Sequence, residues 1–340
     1  DQDNNDHMVY WLSNTSALLF LLQSSLKTPG SSAAHKPPAP STSFFSRMTQ
    51  SFRSSSANLP VGIVRQVEAK YPALLFKQQL TAYVEKIFGI IRDNLKKELS
   101  PLISSCIQVP RTSKGTAFKT SEESESDSSP DPASHWQSII ECLNGTLCRL
   151  KENSVPPILI QKIFTQSFAY INVQLFNSLL LRRECCTFGN GEYVKSGLAE
   201  LELWCGQVKE EYAGSSWDEL KHTRQAVGFL VIHQKSRITY DEITTDLCTV
   251  LSVQQLYRIC TLYRDDNYNT QSVSPDVIAS MKHLMTDDSE EDGSSFLLDD
   301  DLSIPFSIED ISGSMKVNEF QDVKPAAELM EIPAFQFLQE

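Results

Sequence analysis

The stretch Ile158-Leu159-Ile160-Gln161-Lys162-Ile163-Phe164-Thr165-Gln166-Ser167-Phe168-Ala169-Tyr170-Ile171-Asn172-Val173-Gln174-Leu175-Phe176-Asn177-Ser178-Leu179-Leu180-Leu181 decides the fold. Fifteen of its 24 residues are apolar, and the polar ones fall on all sides of a helical wheel. A helix that is apolar all round is buried all round, so this run predicts the central rod of a helical fold. Its neighbours carry the one-sided pattern of helices packed around such a rod. Leu80, Tyr83, Val84, Ile87, Ile90, Ile91 and Leu95 follow the i, i+3, i+4, i+7 spacing of one face. Trp136, Ile139, Ile140, Leu143, Leu147 and Leu150 repeat it until Asn153 and Pro156-Pro157 stop the helix.

Helix starts are written further along. Ser216-Trp217-Asp218-Glu219 and Thr239-Tyr240-Asp241-Glu242 read as capping boxes, and Ser252-Val253-Gln254-Gln255 is the glutamine form. Ser274-Pro275 places a cap before a proline at the first helical position. Phe188-Gly189-Asn190-Gly191 reads as a turn between two helices. No hairpin dipeptide sits between alternating apolar runs, so the fold class is all-α.

Composition narrows the function. The 340 residues, 41% hydrophobic with a mean hydropathy of −0.25, suit a globular chain of one large or two smaller domains. The net charge of −13 lies wholly in residues 287–340, which hold 15 acidic and 2 basic side chains. Residues 27–119 carry an excess of +10. No strongly basic domain is present, so nucleic acid is not an expected partner. Met8–Leu26 is uncharged over 19 residues, but its polar residues and the acids before it predict a buried helix and a soluble chain.

Boundaries follow from composition: a helical subdomain over 1–153, with loops 28–58 and 110–131 expected to be mobile, and a second over 154–286. The acidic arm is residues 287–340. Within it Leu302, Ile304, Phe306 and Ile308 alternate with polar residues or proline, which predicts an extended segment with an apolar edge laid on the body.

Catalytic motifs are absent: no G-x-S-x-G, G-x-x-x-x-G-K-[ST], H-E-x-x-H or G-x-G-x-x-G occurs. The six histidines and eight cysteines show no metal-ligand spacing, so catalytic, cofactor and metal sites are all expected to be none. Cys185-Cys186 follows Arg182-Arg183, and packing at a helix end competes with a reactive thiol as its reading. What remains is surface. On a helix opening at Trp217, Asp218, His222 and Gln225 point away from the apolar stripe with Lys221 at its border. This short polar patch is a candidate docking site, a plain solvated face being the alternative.

The run Tyr170-Ile171-Asn172-Val173-Gln174-Leu175-Phe176-Asn177-Ser178-Leu179-Leu180-Leu181-Arg182-Arg183-Glu184-Cys185-Cys186, with Asn190-Gly191-Glu192-Tyr193-Val194-Lys195-Ser196-Gly197-Leu198-Ala199-Glu200-Leu201-Glu202-Leu203-Trp204 after it, resembles the signature of the dilute domain. That domain is the core of the globular tail of class V and class XI myosins. Tyr10-Trp11-Leu12-Ser13-Asn14-Thr15, Phe76–Ile87 and Leu251–Tyr257 resemble the same tail, and the details most resemble the class XI myosins of plants. The resemblance implies an elongated pair of helical-bundle subdomains bridged by a long helix, with cargo binding as its task. The implied partners are organelle or vesicle receptors, adaptors and Rab-type GTPases. Membranes would be reached only through those receptors, in the cytoplasm and along actin, and dimerisation would come from a coiled coil upstream. The family's tail also folds back on its own motor head. Arg92, Lys96 and Lys97, read as one exposed helix end, are the candidates for that contact, and service to the helix dipole is the alternative.

Overall fold

Pro157–Leu181 forms one uninterrupted helix, α4, in the computed structural model, which describes residues 2–27, 67–68, 71–110, 132–266, 270–287, 296–317 and 331–334. Its entry is set by Pro156 and by Pro157 at the first helical position, where a missing N–H costs nothing. Its buried residues lie all round the wheel, from Leu159 and Ile160 to Leu179 and Leu180, as the unbroken apolar pattern requires. The remaining long helices are α1 (Asn5–Ser25), α2 (Tyr71–Cys106), α3 (Pro132–Glu152) and α5 (Phe188–Val208). Shorter ones follow: α6 (Glu210–Ala213), α7 (Ser216–Glu219), α8 (Lys221–Leu230), α9 (Tyr240–Glu242), α10 (Val253–Leu262), α11 (Pro275–Asp287) and α12 (Ile308–Ser314). The fold is all-α. Among the described residues the sheet content is two paired two-residue strands, β1 (Leu26–Lys27) and β2 (Val67–Glu68), parallel with Leu26 opposite Val67.

The chain divides into two compact units. One comprises Asp1–Ser13 and Glu85–Ser314, the other Asn14–Val84 and Met315–Glu340, so α1 and α2 each contribute to both. In the first unit α4 is packed by α6, α7, α8, α10 and α12, while α5 packs against α3 and α8. Trp204 stacks on Phe168 at 5.7 Å and meets Phe164 edge-on at 5.0 Å, joining α5 to the rod. Its indole N–H donates to Asn144 Oδ1 of α3 at 2.8 Å, so the aromatic knot carries no unpaired donor. Gly197 lets α5 approach α3 closely: a Cβ there would lie 1.9 Å from Trp136 Cε2. In the second unit the described residues are the latter part of α1, the strand pair, the first turns of α2, and residues 315–317 and 331–334.

Several local expectations change. α1 is one-sided rather than buried: Met8, Val9 and Leu12 are inside, while Tyr10 is 51% and Trp11 44% exposed. No described helix is long and apolar enough to cross a membrane. Phe188-Gly189-Asn190-Gly191 is the first turn of α5, not a loop, because Thr187 caps it by accepting from Asn190 N. The Thr239 and Ser252 capping boxes form as read. Ser216 does not cap. It lies buried within α7 and donates to Ala213 O, so its oxygen is turned away from the helix amides. Loop 28–58 and residues 111–131 of the second loop lie outside the described residues.

The acidic arm contributes residues 296–307, which run across α2, α4 and α10, and then α12. Its apolar edge is not what holds it. Leu302 is 59% exposed and Ile304 also faces solvent, whereas Phe306 meets Phe88 edge-on at 4.9 Å and Ile311 is buried. Regular alternation fails because the segment is gripped through its main chain, which leaves individual side chains free to point outward.

Candidate partner-binding surface

α8 is fixed to the rod from beneath. Asn172 of α4 is buried and accepts from both the Thr223 N–H, at 3.0 Å, and the Thr223 hydroxyl, at 2.8 Å. A buried amide with two such partners ties one helix register to the other. His222 sits beside this pair with Nδ1 3.5 Å from Asn172 Nδ2 and its ring 5.5 Å from Phe176. Burial, with the Lys221 ammonium adding to it, holds the His222 pKa below the ordinary 6.5, so the ring is neutral at pH 7.

The sequence-derived patch is therefore partly taken up inside. Asp218 and Lys221 are exposed. His222 turns toward α4. Gln225 spans to the following segment, donating to Thr249 Oγ1 and accepting from Val250 N, both at 2.9 Å. The wheel misplaces His222 because α7 and α8 are not one helix. Leu220 breaks the run with φ −81 and ψ 7, and its N–H turns back to Trp217 and Asp218, which offsets the faces beyond it.

Beside α8 lies a cleft. Lys221, Arg224, Gln225, Gly228, Phe229, Ile232 and Leu247 line an open hollow of about 450 Å³. Phe229 and Ile232 give it an apolar floor, and Lys221 and Arg224 a cationic edge. Arg224 is positioned by its guanidinium stacking 4.2 Å from the Trp217 ring centroid. Arg224 is passed over in the sequence, and Leu247 comes from the segment after α9, which no wheel of α8 includes. The Trp217–Arg224 spacing of seven was the one signal that could have found the first. Chemically the hollow can receive an apolar side chain flanked by carboxylates.

Arg92, Lys96 and Lys97 do not form an exposed helix end. α2 continues to Cys106, two further turns beyond them. Arg92 is 4% and Lys96 6% exposed, both beneath the 296–307 segment. Arg92 Nη1 donates to Leu302 O at 2.8 Å, and Lys96 Nζ meets both carboxylate oxygens of Asp300 at 2.7 and 2.8 Å. Lys97 is exposed.

Cys185 and Cys186 are packing residues. Both are buried, burial pushes their thiols up to about 11 and about 12, and Cys186 Sγ contacts Leu179 O at 3.0 Å. The carbonyl end of α4 is served by Arg258, whose Nε donates to Leu180 O at 3.0 Å, while Arg182 and Arg183 face solvent. Among the described residues no group of three or more His, Cys, Asp or Glu side chains could hold a metal ion.

Residues 162–267 match the family model of the DIL domain. Over 99% of its length the chain is 67% identical to Myosin-6 and 65% identical to Myosin-8 of Arabidopsis thaliana. It spans about a quarter of the length of these curated relatives, 23% in each case. Its fold is similar to Myo2-GTD solved in complex with Mmr1, with a TM-score of 0.63, 16% identity, and coverage of 98% of this chain and 73% of that one. Complexes of Myo2-GTD with Inp2 and with Smy1 give TM-scores of 0.61 and 0.57 at 16% and 18% identity, covering 98% and 94% of this chain and 73% and 71% of those. Near-complete coverage at high identity and a shared helical fold place the chain in the class V/class XI myosin family, as a globular-tail domain.

Proposed function

We propose that this domain binds cargo for an actin-based motor, recruiting vesicles or organelles through receptors, adaptors or Rab-type GTPases, with the α8 cleft as a contact surface. One observation carries the reading. Exposed Lys221 and the Trp217-stacked Arg224 border a cleft with an apolar floor, on a helix whose register the Asn172–Thr223 pair locks to the rod. Preorganised polar groups around an apolar anchor are what a recognition surface needs, since little ordering entropy is lost on docking. The Myo2-GTD complexes with Mmr1, Smy1 and Inp2 supply the analogy for adaptors as partners.

The reading includes a cytoplasmic location on vesicles and actin, contact with membranes only through receptors, and dimerisation through a coiled coil upstream. It also keeps subdomains at 1–153 and 154–286 with an acidic arm at 287–340. Autoinhibition by binding the motor head is the less supported role, since Lys97 is the exposed member of its three cations. The test is capture of purified adaptor fragments and GTP- or GDP-loaded Rab-type GTPases by the immobilised chain. Lys221→Glu is expected to weaken the binding partner about tenfold or more. Equal recovery of every partner would remove α8 from the account.

A further inference from the structure

We propose that the face of α2, α4 and α10 beneath residues 296–307 is a peptide-binding groove, filled here by the chain's own segment, and that it takes an extended acidic peptide of a partner protein in its place. The grip on the segment is largely on main-chain atoms. Gln255 Nε2 donates to Phe296 O at 2.9 Å, and Asn177 holds Leu298 by both its N–H and its carbonyl, each at 2.9 Å. Arg92 Nη1 donates to Leu302 O at 2.8 Å and Gln166 Nε2 to Ser303 O at 2.8 Å. These four side chains come from three helices, and three of them, Arg92, Gln166 and Gln255, are buried. Such contacts are satisfied by any extended chain, which is how main-chain recognition supplies affinity without sequence.

Selectivity resides in three positions. Lys96 pairs with Asp300, Arg258 lies 5.9 Å over the Phe296 ring, and Phe88 meets Phe306 edge-on. The groove thus reads an aromatic residue, an acid four positions later and a second aromatic six beyond that. Lys96 and Arg258 give it positive charge, complementary to an acidic ligand, while Arg92 is paired with Asp93 at 2.8 Å and serves the main chain. Leu302 and Ile304 point to solvent and are unread. The chain's own segment wins at rest through its high effective concentration, and a partner peptide competes by mass action. This site is separate from the α8 cleft, although its use by a partner rests on the same partner-binding reading.

The test uses the full chain and a fluorescently labelled peptide with the sequence of residues 296–308, followed by anisotropy. Asp300→Lys sets like charges against each other at Lys96, loosens the resident segment and opens the groove. The altered chain is expected to bind the peptide about tenfold or more tightly than the unaltered chain does. The double variant Lys96→Glu/Asp300→Lys restores the pair with its signs exchanged and is expected to exclude the peptide again. If Asp300→Lys does not fold, Asn177→Ala removes the bidentate clamp with the charge pair intact and is expected to admit the peptide likewise. A folded Asp300→Lys chain that binds no peptide overturns the proposal. So does one that forms a dimer by light scattering while ignoring the peptide, because the groove then accepts only a second copy's segment. Lys221→Glu should leave peptide binding unchanged, so failure here and failure at α8 are told apart.

Discussion

α4 and the 296–307 segment lie against each other, and they are held by opposite means. α4 is fixed by side chains, with residues all round its wheel buried and the Phe164–Phe168–Trp204 knot at its middle. The segment is fixed by its backbone, through Asn177, Arg92, Gln166 and Gln255, and one of its large apolar side chains is 59% exposed. Burial of apolar area is strong and leaves a periodic mark in the sequence. Main-chain gripping is individually weaker and leaves almost none. The contrast separates what is built to stay from what is built to be exchanged.

The largest expected effect breaks the α4 side of the contrast. Phe168→Ala should lower unfolding free energy by about 3–5 kcal/mol, measured by urea denaturation, because the space beside Trp204 cannot collapse. On the other side, Arg92→Met strips a donor from the Leu302 and Ser303 carbonyls. It should cost about 1.5–3 kcal/mol at most, and limited proteolysis within 296–307 should quicken while the helical circular dichroism holds.

Acid should separate the two regions by pH. The His222 pKa is depressed by burial, so the unfolded chain binds its proton more readily than the folded one. The stability it supports is therefore lost as pH falls below about 6.5, loosening α8 on α4. Asp301 and Asp310 are held below the usual carboxylate range by bonds from Ser303 and Ser307. Their contribution persists above the ordinary carboxylate value and disappears only as pH falls through the lower folded values. Amide hydrogen exchange should find α8 loosening below pH 6.5 and the segment only below the ordinary carboxylate value of 3.8; the reverse order would contradict the assignment. The smallest effect is the sharpest for the contrast: Leu302→Asp should change the melting free energy by no more than about 0.5 kcal/mol, where an apolar edge would have cost several times that.

The same contrast explains what was legible. The helical class, the central rod, the Thr239 and Ser252 boxes and the proline start of α11 are all visible as periodicity or local cap chemistry. The dilute-domain signature was legible too, since it lies in a contiguous run. The candidate site was half legible. Asp218 and Lys221 are exposed and Gln225 lines the cleft, as the wheel allows, but His222 turns toward α4, and Arg224 and Leu247 join the cleft without a mark in the pattern. A single residue leaving helical geometry has no dependable sequence mark. Burial of Arg92 and Lys96 was invisible for a different reason. Their partners lie more than 200 positions away, so only tertiary structure brings them together.

The central claim is that this tail domain acts through a surface on α8 fixed to the rod. It is tested most directly by hydrogen exchange of the full chain with and without a bound adaptor or Rab-type GTPase. The account predicts added protection over residues 221–232 and around Leu247, lost when Lys221→Glu replaces the unaltered chain. Tight binding with no change in exchange across α8 would contradict it.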